Sequence, residues 1–260
     1  MPLCTSPTGP RVVGPADHSV KFSIVIPTYN ESENIADMIA LLSKELATSV
    51  GDSYEIIVVD DDSPDRTWEI VAALGESDPR IIAVRRTQER GLATAVVRGF
   101  QVSRGDVLGV IDGDLQHPPE VVCALWAKMN AGSDVVVASR YVEGAGVGDW
   151  SLLRQGVSRV ARLIAWLLLP GVLGQITDPM SGCFMVKRSV VIGVPLNPVG
   201  YRTLVEVLGR TQPTAVSEVG YSFNPRSKGR SKANLGICWD DFIHLVKLRF
   251  RPHEPTPEPH

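Results

Sequence analysis

The sequence predicts a single α/β domain with a mostly parallel central sheet flanked by helices. Short β-branched runs of strand length alternate along the chain with stretches of helical apolar spacing, the pattern of repeated βαβ units. Acidic residues stand at the carboxyl ends of three of those runs, the edge at which ligands bind in such sheets. The 260 residues, 44% apolar and 21% charged, are ordinary globular values without a linker-like interior, enough chain for one large core.

The elements follow in order. Phe22 to Ile26 reads as a strand ending at Pro27, and Ile35, Met38, Ile39, Leu42 and Leu46 then recur at helical spacing. Tyr54 to Val59 is a second buried strand that runs into Asp60, Asp61 and Asp62. A third unit starts at Ile81 to Val84, passes through the loop TQERGLATA and continues as a helix to about Val102. Val107 to Ile111 is the next strand, followed by a helix near Glu120 to Met129 and a strand at Asp134 to Ser139. CFMVKRSVV reads as a strand and turn, YRTLVEVLGR as a helix and Val216 to Val219 as a last strand. Residues 1–20 and 251–260, rich in Pro and polar residues, are expected to be a disordered leader and tail around a domain at 21–250.

The stretch that carries chemistry is VLGVIDGDLQHPPE, residues 107–120. Side chains two apart on an extended backbone point the same way, so Asp112 and Asp114 can face one point, and the glycine between them admits close approach. Hard carboxylate oxygens suit Mg²⁺ or Mn²⁺, which keep waters and complete their shell with substrate phosphates. The alternative is a solvated Asp-Gly-Asp turn. Pro27, Tyr29 and Glu31 after the first strand, Asp60 and Asp61 after the second, and this pair would share one rim.

Other classes fall away. Neither GxxxxGK[ST] nor a GxGxxG after the first strand is present, so phosphates must be held by metal and arginine. A net charge of −3 gives no global pull towards nucleic acid. Cys4, Cys123, Cys183 and Cys238 form no CxxC pair, which argues against zinc and a dense disulfide framework and for a reducing, cytoplasmic setting. The run LIAWLLLPGVLG has 12 residues against roughly 20 for a membrane span, so it is a core helix or an amphipathic element on a bilayer surface.

IPTYNE at Ile26 to Glu31, VVDDDSPD at Val58 to Asp65, GLATA at Gly91 to Ala95, DGDLQHPPE at Asp112 to Glu120, ASRY at Ala138 to Tyr141, DPMSG at Asp178 to Gly182 and FNPRSKGRSK at Phe223 to Lys232 are the distinguishing motifs. Together they resemble the dolichyl-phosphate (polyprenyl-phosphate) mannose synthases, family 2 glycosyltransferases with a GT-A fold, over about Phe22 to Phe250. The resemblance implies inverting transfer of a hexose, most often mannose from GDP-mannose, to a polyprenyl monophosphate. It also implies that Pro27, Tyr29, Glu31, Val59 and Asp61 line the guanosine pocket and that Asp112, Asp114 and Gln116 hold Mg²⁺ or Mn²⁺. On the same grounds Arg140, Arg154 and Arg226 grip phosphates, Lys232 joins Arg226 on the donor, and Ser181 lies on the acceptor loop.

The chain departs from the pattern in three places. Asp62 and Arg66 stand where members of the family commonly have Gly, and Glu89-Arg90 stands where they have Lys before the GLG motif, which leaves UDP-glucose or another nucleotide hexose as an alternative donor. A family 2 enzyme acting on a sugar hydroxyl is the further alternative, although no QxxRW motif is present. A phosphate acceptor, with a second pKa of about 6, is already ionised and needs no general base, so His117 is expected to be structural. A lipid acceptor further implies contact with the cytoplasmic membrane face through 152–174 and 237–250, helped by a separate anchoring protein.

Overall fold

The structure is a computed structural model that describes residues 11–12, 17, 19–142, 145–146, 156, 163, 176–198, 200, 203–211 and 213–224. Its strands are β1 (Phe22–Thr28), β2 (Tyr54–Asp60), β3 (Ile81–Arg85), β4 (Val107–Val110), β5 (Val135–Ser139), β6 (Phe184–Lys187) and β7 (Val216–Gly220). Its helices are α1 (Ile35–Ser49), α2 (Thr67–Ser77), α3 (Leu92–Val102), α4 (Val121–Asn130), the single turn α5 (Arg188–Val191) and α6 (Thr203–Thr211). The sheet order is β3-β2-β1-β4-β6-β5-β7, parallel except at β6, which runs antiparallel to both β4 and β5.

Alternation of side chains explains why the strands read as continuous apolar runs. Phe22, Ile24 and Ile26 of β1 face a core with α1 and α4, while Val25 faces α3 and α6 on the other side. β2 does the same, with Tyr54, Ile56 and Val58 against one layer and Ile57 and Val59 against the other. Being buried on both faces, these strands have no room for polar residues except where a network receives them. Glu55, fully buried, accepts from Ser23 Oγ at 2.6 Å and from Arg104 Nε at 2.8 Å.

Two elements escape the sequence reading. α2, between β2 and β3, buries Thr67, Val71 and Gly75 and packs the partly buried Ile70 and Leu74 against the same core. The turn expected after β6 closes as α5. Within the stretch expected to be a disordered leader, Val12 is fully buried and bridges Ile192, and Gln101 Nε2 donates to the Arg11 carbonyl at 2.9 Å. A valine among prolines and glycines thus found apolar surface to cover.

The departures at Asp62 and Arg66 have a backbone meaning. Both adopt the left-handed conformation, at φ 55° and 60°, which is where glycine has no Cβ penalty. Arg66 also stands at the N-cap of α2 without a side-chain cap bond, and among the described residues its exposed guanidinium pairs with Glu69. Arg66→Gly is therefore expected to raise unfolding stability by about 0.5 kcal/mol, relief of the left-handed strain outweighing the flexibility of the unfolded chain and a weak surface pair. Urea unfolding checks this, and a loss of stability would contradict it.

Candidate active site

The topology collects one rim. β1, β2 and β4 lie side by side in register, Thr28 against Asp60 and Val25 against Val110, so Tyr29 to Glu31, Asp60 to Asp62 and Asp112 to Asp114 leave the sheet as neighbours. β6 points the other way, with Phe184 opposite both Val110 and Val137, so the residues before it, Asp178 to Cys183, reach the same rim. β7 is parallel to β5, and Ser139 pairs with Gly220, which adds Arg140, Tyr141 and Tyr221 to Asn224.

At the ends of β1 and β2, Pro27 and Val59 are buried partners in the β1–β2 ladder. The loop after β1 is latched to the loop after β2: Asn30 N donates to Ser63 Oγ at 2.9 Å, Glu31 N to Thr67 Oγ1 at 3.1 Å and Ser32 N to Asp65 at 3.0 Å. Glu31 Oε2 accepts from Asn34 Nδ2 at 3.0 Å. Asp61 is buried, and its Oδ1 accepts from Arg86 Nε at 2.7 Å and from Arg86 Nη2 while Oδ2 accepts from the Gly91 amide at 2.7 Å. Burial pushes the Asp61 carboxyl above the usual range, against the pull of the Gly91 amide and Arg86. Arg86 is a residue that sequence reasoning missed, although a buried carboxylate beside a basic pair is a signal that a buried cation must answer it. Glu89 turns inward to the Arg98 guanidinium at 2.8 Å, and Arg90 lies 5.4 Å from the centroid of the Tyr29 ring.

The Asp112-Gly113-Asp114 segment is a turn rather than the extended strand that the two-residue alternation assumed. β4 ends at Val110, and Leu115 takes φ 59°, a left-handed conformation seldom adopted by leucine, while Asp114 Oδ1 accepts from the Gln116 amide at 3.2 Å. A Cβ on Gly113 would lie 3.3 Å from Ile26 Cγ2 and 3.4 Å from Thr28 Cγ2, so the turn needs its glycine to sit against the end of β1. Gln116 is clipped to the loop after β7, its carbonyl accepting from Asn224 N at 2.9 Å and its Nε2 donating to Asn224 O at 3.4 Å.

His117 is buried between rings, 5.0 Å from Tyr221 and 5.4 Å from Phe223, with Nε2 3.4 Å from Asp112 Oδ2. Its Nδ1 has no hydrogen-bond partner among the described residues, and neither does Tyr221 Oη. Burial pushes the Tyr221 phenol far up despite the nearby Arg140 charge.

Arg140 is committed more specifically than a phosphate-gripping residue read from its motif. Its Nε and Nη2 fork Asp178 at 2.7 and 2.8 Å, and its backbone amide donates to the same carboxylate at 3.1 Å. Burial works against the guanidinium charge, but Asp178 outweighs it and holds the Arg140 pKa above its ordinary value. Glu218 Oε1 accepts from the amides of Thr177 at 2.9 Å and Asp178 at 3.2 Å, bracing the loop from β7. Ser181 is buried in it, its Oγ accepting from Cys183 N at 3.2 Å. Arg154, Arg226 and Lys232 lie outside the described residues, as do 251–260, 237–250 and all of 152–174 except Gly156 and Leu163.

The donor set fits a hard divalent cation. Asp112 and Asp114 offer carboxylate oxygens and Gln116 an amide oxygen, while no group of three or more His, Cys, Asp or Glu among the described residues forms a protein cage. That is the pattern of a cation completed by water and phosphate rather than of a closed site. The close packing of Asp112 against Gly182, where a Cβ would overlap Asp112 Oδ2, shows a carboxylate seated in a shaped cradle.

Residues 23–194 match glycosyl transferase family 2. The chain belongs to glycosyltransferase family 2. This family 2 glycosyltransferase is 42% identical over 229 residues to a dolichol-phosphate mannosyltransferase of Pyrococcus furiosus, covering 88% of the chain and 64% of the relative. It thus spans less than two thirds of that archaeal protein. It is 34% identical to a dolichol-phosphate mannosyltransferase of Mycosarcoma maydis over 88% of the chain and 79% of that protein. Among solved structures it is similar to Mycobacterium tuberculosis glucosyl-3-phosphoglycerate synthase in complex with Mn²⁺, UDP and glucosyl-3-phosphoglycerate, at 25% identity and TM-score 0.67, over 88% of this chain and 80% of that one. The sheet and helices of this chain are accordingly those of the GT-A fold, and none of its described helices is long and apolar enough to cross a membrane.

Proposed function

We propose that this enzyme transfers mannose from GDP-mannose to the phosphate of a dolichyl or other polyprenyl monophosphate, with inversion at the anomeric carbon and with Mg²⁺ or Mn²⁺. The observation that carries the reading is the rim itself: the Asp112–Asp114 turn meets the DPMSG loop and the loop after β7 on one side and the ends of β1 and β2 on the other. Kinship with two dolichol-phosphate mannosyltransferases over 88% of the chain supports transfer of mannose and a dolichyl phosphate acceptor.

In this reading Pro27, Tyr29, Glu31, Val59 and Asp61 shape the guanosine pocket, and Arg86 holds Asp61 in place. Asp112, Asp114 and Gln116 present oxygens to the cation, which when bound supplies positive charge to the departing diphosphate. The acceptor phosphate is already an anion near neutral pH, with a second pKa of about 6, so no side chain has to take a proton from it. His117, walled in by Tyr221 and Phe223, has a packing role. What the chain must overcome is repulsion between two anionic substrates, the task of Arg154, Arg226 and Lys232. The lipid tail stays in the bilayer at the cytoplasmic face, met by 152–174 and 237–250 and by an anchoring partner.

Labelled GDP-mannose and UDP-glucose are incubated in separate reactions with the protein, polyprenyl phosphate vesicles and Mn²⁺. Label from GDP-mannose is expected in the organic phase and is expected to vanish with EDTA. Label arriving only from UDP-glucose would overturn the donor, and label arriving only on a water-soluble sugar hydroxyl would overturn the acceptor.

A further inference from the structure

We propose that Gly182 is a positioning residue for Asp112, setting the orientation of its carboxylate before any cation arrives. This rests on the reading of Asp112 as a metal-binding carboxylate. A glycine is required at a position either because the backbone is left-handed or because something lies where a side chain would go. Gly182 is not among the residues of positive φ, so the first reason is absent. The second is present, because a Cβ there would overlap Asp112 Oδ2 and lie 3.0 Å from its Cγ and 3.1 Å from Oδ1.

Which partner would yield to that Cβ decides the consequence. The loop that carries Gly182 is held at every step: Asp178 by the Arg140 fork, Thr177 and Asp178 by Glu218, the Ser181 amide by the Asp178 carbonyl at 3.3 Å, and Cys183 by Ser181 Oγ. Directly after it, β6 is fixed between β4 and β5. The Asp112 side chain is about one third exposed and turns about two torsions. On its other side His117 Nε2 stands 3.4 Å from Oδ2, and the His117 ring is pinned by Tyr221 and Phe223. The carboxylate therefore sits between two walls that do not give way, and a methyl group on one of them turns it out of its seat. Groups that orient a ligand without touching the metal typically change its affinity by about 10- to 100-fold.

The test is Mn²⁺ binding to the full chain without donor or acceptor, followed by calorimetry or by the electron-spin signal of free Mn²⁺. Gly182→Ala is expected to weaken Mn²⁺ binding by about tenfold or more, with the metal-free unfolding midpoint close to that of the parent. Ser181→Ala, which removes the hydroxyl that braces Cys183, is expected to weaken it measurably but less than Gly182→Ala does, a smaller loosening of the same wall. It decides the matter if Gly182→Ala does not fold. Asp112→Ala separates the two readings. If Asp112→Ala abolishes Mn²⁺ binding while Gly182→Ala and Ser181→Ala bind as the parent does, the positioning role is overturned and the metal assignment stands. If Asp112→Ala itself binds Mn²⁺ normally, the metal assignment fails and the positioning role with it.

Discussion

Replacing Asp114 by alanine is expected to lower sugar transfer by about three orders of magnitude, the loss of several kcal/mol of stabilisation at the leaving diphosphate. Asp114 is buried, and its Oδ1 accepts from the Gln116 amide at 3.2 Å. Losing that bond costs about 1 kcal/mol of stability, and a circular dichroism spectrum like the parent's places the defect in the chemistry. Asp112→Asn keeps shape and removes charge, and is expected to fail comparably. Asp65→Asn is the control, since Asp65 tethers Ser32 and Thr67 on the loops after β1 and β2 and is not one of the residues assigned to the cation. Radiolabel extracted into organic solvent at saturating Mn²⁺ reads the outcome, and undiminished transfer by Asp114→Ala would remove the turn from the reaction.

Strand positions were legible because a strand buried on both faces is apolar at most residues, and β1, β2 and β5 are so apart from the Ser23–Glu55 pair and the polar residues at their carboxyl ends, Thr28, Asp60 and Ser139. Strand direction was not. Nothing within FMVK distinguishes a parallel from an antiparallel neighbour, and β6 is turned by the chain that leads into it. That reversal is what puts DPMSG on the rim, because the residues before an antiparallel strand emerge where those after a parallel strand do.

Which residue types gather at the candidate site was legible; their geometry was less so. Asp112 and Asp114 were expected on one side of an extended backbone, whereas a turn with Leu115 at φ 59° presents them. Arg86, Glu218 and Asn224 were invisible to spacing because each acts through a partner distant in sequence: Asp61 for Arg86, Thr177 and Asp178 for Glu218, and Gln116 for Asn224. Such supports are read from what a buried acid or a tethered loop requires, once the fold has brought the two segments together.

Asp178→Ala is expected to destabilise the fold by about 3–5 kcal/mol, the usual result of stripping one partner from a buried ion pair. Both side chains are almost wholly removed from solvent, at 9% exposure for Arg140 and 1% for Asp178, so water cannot replace the lost carboxylate. Arg140 would keep its charge between the rings of Tyr141 and Phe223, 5.7 and 5.6 Å away, contacts worth far less than the fork. The pair need not be favourable in itself. Taking both charges out of water is costly, so the double variant Arg140→Met with Asp178→Leu should recover most of the stability lost by Asp178→Ala alone. Urea unfolding of Arg140→Met, Asp178→Leu and the double variant measures the coupling. A single loss below about 1 kcal/mol would mean that Arg140 readily finds another anion at this rim, the behaviour of an arginine held in reserve for a substrate phosphate rather than for the loop before β6.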